Sequence, residues 1–106
     1  MHYDLIILSN SKLNNPKINI LNYKIYSDEL FLVNNYTLNN EDNFDYIIVE
    51  NPKSLKNIDI LKDNTTIICN CFMQTSVDHI FFIGSENNSS FSISEQLDIV
   101  LDFLIN

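Results

Sequence analysis

Two cysteines and two histidines, Cys69, Cys71, His2 and His79, are the side chains best suited to covalent chemistry in this chain of 106 residues. Cys71 with His79 is the pair that could form an activated nucleophile, the imidazole drawing the proton from the thiol so that a thiolate attacks. Such a pair needs both groups at the mouth of a sheet, where the strands of a doubly wound domain open onto a ligand crevice. Asp78 precedes His79 but cannot orient it, because neighbours on an extended chain face opposite ways. The plainer reading, a boundary histidine whose polar tip reaches water, is preferred. Cys69 and Cys71 lie two apart on an expected strand, which puts them on one face with Cα atoms about 6–7 Å apart. A disulfide closing a one-residue loop would be strained, and reduced thiols are the cytosolic default. Two Cys and two His make up a zinc ligand count but lack the paired local spacing of zinc motifs, so no metal is expected.

The carboxylates Asp4, Glu50 and Asp78 fall near expected strand ends, where they could converge on a cation; in so acidic a chain they read more simply as solvating charges. The segment Gly84 to Ser90 joins a strand to a helix, the place where phosphate-binding loops sit. Its single glycine and Glu86 argue for a solvated loop, and neither Walker nor dinucleotide fingerprints are present. No serine stands in a nucleophile elbow with matching His and Asp. The four sequons, at Asn35, Asn64, Asn87 and Asn88, are expected from the abundance of asparagine.

The elements that must position these groups follow from apolar runs and their punctuation. Tyr3 to Leu8, Phe44 to Val49, Thr66 to Cys71 and Ile80 to Ile83 are short, apolar or β-branched, and bounded by Asn, Ser, Asp or Pro. They show little alternation, which predicts buried strands of a parallel sheet. Tyr23 to Tyr26 supplies a fifth strand, and Asn15 with Pro16 favours a short helix before it; one longer strand from Ile18 to Tyr26 is the alternative. Ser27 to Leu38 reads as a second, poor helix carrying Leu30, Phe31 and Val33. Ser54 to Lys62 reads as a third, with Leu55, Ile58 and Leu61 on one face. The clearest helix is the last: Ser92 and Glu95 have capping-box spacing, and Leu97, Val100, Leu101 and Leu104 form a stripe. Asp98 and Asp102 mark its wet face, while Ile99 and Phe103 add apolar surface beside the stripe.

The resulting alternation predicts a single α/β domain over residues 1–106, a flavodoxin-like three-layer fold with short helices and a mostly parallel five-stranded sheet in the order 2-1-3-4-5. Several segments resemble the receiver domain of bacterial response regulators. Residues 44–50, FDYIIVE, followed by Asn51-Pro52 and then by residues 55–68, resemble that family's third strand, proline-containing turn, third helix and fourth strand; residues 91–104 resemble its last helix. The family's chemistry uses an acidic pair that holds magnesium, a phosphoaccepting aspartate, a Ser/Thr and a lysine. Here Ser9 and Asn10 stand at the acidic pair, Glu50 at the phosphoacceptor, Cys71 at the Ser/Thr, and no lysine lies between Gly84 and Ser90. Hard anionic ligands for Mg²⁺ are missing, and a glutamate would mis-set an in-line transfer. The resemblance therefore implies a degenerate receiver without phosphorylation, whose remaining work is protein contact.

Composition narrows the classes further. Six lysines, no arginine and fourteen acids give a net charge of −8, which argues against nucleic-acid backbones and anionic membranes. No apolar run approaches the roughly 18 residues of a membrane span, and Met1 to Asp4 carries no signal-peptide features, so a cytoplasmic protein is expected. Alanine and tryptophan are also absent while asparagine and isoleucine dominate, the bias of an AT-rich genome. With few and short helices, sheet cover should be thin, leaving a patch at Leu30 and Phe31 or at Ile99 and Phe103 for another protein or for a second copy as a homodimer. The leading expectation is a non-catalytic interaction or regulatory module that uses no cofactor. The alternatives are an acidic decoy of the phage-antagonist type, occupying a nucleic-acid-binding groove, and a small Cys71/His79 enzyme or phosphocarrier.

Overall fold

In the computed structural model, which describes residues 1–106, the sheet is built around its two longest strands, β1 (His2–Leu8) and β5 (Asn43–Val49). Their apolar runs pair in parallel over six residues, from His2 opposite Asn43 to Leu8 opposite Val49. Strand β2 (Tyr23–Tyr26) adds in parallel on the far side of β1. The other side of β5 is shared. A hairpin of β3 (Leu32–Asn34) and β4 (Thr37–Leu38) meets its start in antiparallel sense, and β8 (Ile80–Phe82) runs parallel along its end. Two further short strands, β6 (Lys62–Asp63) and β7 (Thr66–Ile67), form a separate antiparallel pair.

The expected flavodoxin-like architecture is overturned: the sheet is mixed, and one α-helix stands where several were expected. That helix, α1 (Ile93–Ile105), has both bonds of its capping box, Ser92 Oγ accepting from the Glu95 N–H and Glu95 Oε1 from the Ser92 N–H. The expected second helix is the β3–β4 hairpin. Asn34 Oδ1 accepts the Tyr36 N–H at 2.9 Å, so the side chain that weakens a helix here closes a turn. The expected third helix shrinks to a 3-10 turn, Pro52–Leu55, after which Ile60, not Leu61, turns inward; Leu61 is 60% exposed. The helix-then-strand reading of Ile18 to Tyr26 matches the structure, with a 3-10 turn at Pro16–Ile20 capped by Asn15 Oδ1. The expected strand Thr66 to Cys71 stops at Ile67.

Alternation along β1, β5 and β8 divides the core into two sides. Leu5, Ile7, Ile48, Phe81 and Ile83 face Leu97, Val100 and Leu101 of α1. Ile6, Leu8, Ile47, Val49, Ile80 and Phe82 face Leu32, Leu38, Leu55, Ile60 and Ile67, so irregular chain and hairpin close this side where helices were expected. No helix is long and apolar enough to cross a membrane.

Candidate functional site

The carboxyl ends of β1, β5 and β8 border an open crevice of about 520 Å³, walled by Ser11, Glu50, Gly84, Ser92 and Gln96. This is the place where a parallel α/β sheet carries its chemistry. Glu50 follows β5 directly, and its carboxylate is already engaged. Ser9 Oγ donates to Oε1 at 2.5 Å, and Ser11 Oγ reaches both oxygens at 3.0 and 2.8 Å. Glu50 is thus an acceptor for two serine hydroxyls. Gly84 allows the approach: its φ is 111°, and a Cβ there would lie 3.3 Å from Glu50 Cγ. Asn10 and Asn51 both donate to Asp28, at 2.6 and 3.3 Å, in an adjoining groove that shares Ser11 and Glu50 with the crevice.

Behind the crevice lies a buried polar hub. Gln96 points inward from α1, accepts from the Gly84 N–H at 2.9 Å and from Asn87 Nδ2 at 2.8 Å, and donates to the Phe91 carbonyl at 2.8 Å. Asn87, also buried, donates to the Phe82 carbonyl at 2.8 Å. Neither residue stood out in the sequence as structural. The available signal was a polar Gln within the inward-facing arc of α1, between Ile93 and Val100. The burial of Asn87 also leaves no room for a glycan on that sequon.

Cys71 and His79 are placed at opposite ends of the region around β8. Cys71 is exposed beside Asn88 and Phe91, past the end of β7. His79 stands at the start of β8, its ring stacked on Tyr36 at 4.1 Å and its Nε2 bonded to the Asn35 carbonyl. The two cysteines do not share a face: Asn70 Oδ1 accepts the Phe72 and Gln74 N–H groups, turning the chain so that Cys69 is buried and Cys71 is not. Burial pushes the Cys69 thiol up to about 11, an inert thiol, and its Sγ lies 3.8 Å from the Phe82 carbonyl. His2 bonds Asp45 at the surface.

The expected contact residues divide in the same way. Leu30 packs against the core, its carbonyl bonded by Ser54 Oγ at 2.9 Å, and the Phe31 ring lies under the Lys56 ammonium at 3.9 Å. Ile99 is half-buried on α1. Phe103 belongs to an aromatic flank that the sequence did not reveal. Its ring stacks on Phe72 at 4.6 Å and leans on the buried Phe81 at 5.9 Å, and Tyr46 leans on Phe81 from the other side at 6.3 Å. Phe72, Tyr46 and Phe103 remain 41%, 41% and 37% exposed. On the opposite flank of α1, Asp98 and Asp102 share Lys17, at 2.8 and 2.7 Å. Hydrogen bonds from Lys17 and Asn15 hold the Asp98 carboxyl below its ordinary value.

No family model, curated protein or solved structure matches the chain.

Proposed function

We propose that this protein is a non-catalytic interaction module and that its contact surface is the aromatic flank of Tyr46, Phe72 and Phe103. The observation that carries this reading is the clustering of these three exposed rings around the buried Phe81. Aromatic side chains bring large contact area at small entropic cost and are enriched where proteins bind proteins. The strand-end crevice supports the same reading from the other side, since Glu50 is occupied by Ser9 and Ser11 and no thiol or imidazole reaches it. In that respect the chain would act as a receiver without phosphorylation acts, by contact alone.

The test is a capture experiment with three forms of the full chain: wild type, Glu50→Gln, and Phe72→Ser with Phe103→Ser, each checked for folding by circular dichroism. A partner retained by the first two and lost by the third is the expected result. A partner lost with Glu50→Gln and kept by the flank variant would sink the proposal, as would a stable phosphoryl mass gain on incubation with acetyl phosphate.

A further inference from the structure

We infer that the occupant of this flank is a lysine- or arginine-bearing segment of a partner protein; the inference rests on the interaction reading above and names its partner's chemistry. Three observations point the same way. First, the chain covers two of its own aromatic rings with lysines: Lys56 Nζ stands 3.9 Å over Phe31, and Lys24 Nζ stands 5.6 Å from the centre of the Tyr26 ring. Phe72, Phe103 and Tyr46 have no such cation. A guanidinium or ammonium laid on their open faces would repeat an arrangement the molecule already uses twice.

Second, the chain that builds this side has no cation to offer. All six lysines lie at or before Lys62; residues 63–106 carry Asp63, Asp78, Glu86, Glu95, Asp98 and Asp102 and neither lysine nor arginine. Lys17 does reach α1, but on the flank away from Phe103, since Asp98 and Asp102 sit about 100° or more around the helix from it. Third, Phe103 stands in the last turn of α1, and that turn holds no basic residue. The carbonyl end of the helix carries partial negative charge that a cation stabilises. Net charge disfavours a second copy of this chain, because a two-fold contact would bring together two chains that each carry −8.

The probe is a short amphipathic peptide with three arginines, and its control is the twin with citrulline at those positions, equal in shape and uncharged. Each is titrated into the full chain while the backbone amide and aromatic proton resonances are followed by NMR. The expected result is saturable shifts at Phe72, Phe103 and Tyr46 with none at Phe31, and binding about tenfold weaker for the citrulline twin. Asn106→Lys, which adds a cation at the end of α1 without touching the core, should weaken the arginine peptide about threefold. Equal binding of the two peptides would overturn the inference, as would shifts centred on Asp28 and Glu50, or the absence of saturable shifts. So would binding that vanishes at moderate salt and ignores Phe72→Ser, which is general attraction to an acidic protein of the kind an acidic decoy exploits. Failure here separates from failure of the broader reading. If a captured partner still depends on the flank but the arginine peptide does not bind there, only the cationic occupant is wrong; if capture ignores the flank, both are.

Discussion

At Phe31 a lysine ammonium stands 3.9 Å over the ring; at Phe103 the neighbour is another half-exposed ring, Phe72, at 4.6 Å. The two places began as equivalent apolar pairs on expected helices. Around Phe31 the backbone is also tied, with its N–H given to Asn39 Oδ1 at 3.0 Å, its carbonyl taking the Asn39 N–H at 2.9 Å, and Asn57 Nδ2 reaching the Leu32 carbonyl at 3.3 Å. Around Phe103 the neighbours are rings and a helix end capped by Asn106, whose Nδ2 donates to the Asp102 carbonyl at 2.8 Å. What separates a closed apolar surface from an open one is thus the arrival of polar cover from elsewhere in the chain. Ser54, Lys56 and Asn57 close the first surface from more than twenty residues away. Nothing comparable closes the second.

The largest test of this contrast is Phe81→Ala. Phe81 is fully buried under Tyr46 and Phe103, so its removal should cost about 3–5 kcal/mol in chemical denaturation. It should also scatter the aromatic flank, seen as lost ring shifts at Phe103, while the Lys56–Phe31 contact stays. A smaller cost with both regions unchanged would mean that Phe81 is not the base of the flank. Next in size is Gln96→Leu, which leaves one N–H of the Asn87 amide and the Gly84 N–H without an acceptor. A loss of about 1–3 kcal/mol is expected, because buried donors would be left unpaired. That variant should leave the flank intact, since Gln96 braces the crevice end of α1 and Phe103 the other.

How far the sequence could foresee this follows from where each signal is stored. The cap and apolar stripe of α1 and the runs of β1, β5 and β8 are local, and they were legible. The hairpin at Leu32 to Leu38 and the 3-10 turn at Pro52 were not, because asparagine serves equally as a helix cap and as a turn former, and the contest is settled by what packs on Leu32, Leu38 and Leu55. Phe103 was legible as apolar surface outside the stripe. Its partner Phe72 was not, since only the turn at Asn70 brings it there.

A third test touches the closed region through pH. Tyr26 donates to Asp42 beside the hairpin, and this bond pushes the Tyr26 hydroxyl up to about 12 and holds the Asp42 carboxyl below its ordinary value. A raised tyrosine pKa stabilises the fold below its unfolded value near 10 and loses that contribution as pH climbs to about 12. The depressed carboxyl works at the other end: its contribution is present above 3.8 and fades as pH falls through the folded value. Tyr26→Phe should cost about 1 kcal/mol at neutral pH and flatten the loss of stability between pH 10 and 12. An alkaline transition unchanged by this variant would remove the bond from the account of how the hairpin side is held.

The smallest expected effect bears most directly on the comparison. Lys56→Gln takes the cation off Phe31 while leaving a side chain of similar reach, and the cost should be about 0.5–1 kcal/mol, the range of an exposed cation–π contact. If cover by a lysine is what closes the first surface, the variant converts it into a second open one. The arginine peptide, which leaves Phe31 unmoved in the wild-type chain, should then shift the Phe31 ring as well as Phe72 and Phe103. A ring that stays silent after Lys56 is gone would show that Ser54, Asn39 and Asn57 close the region by their backbone bonds, and that an open ring alone does not attract a cation. In that case the helix end beside Phe103 would have to carry the preference, and Asn106→Lys would become the decisive variant.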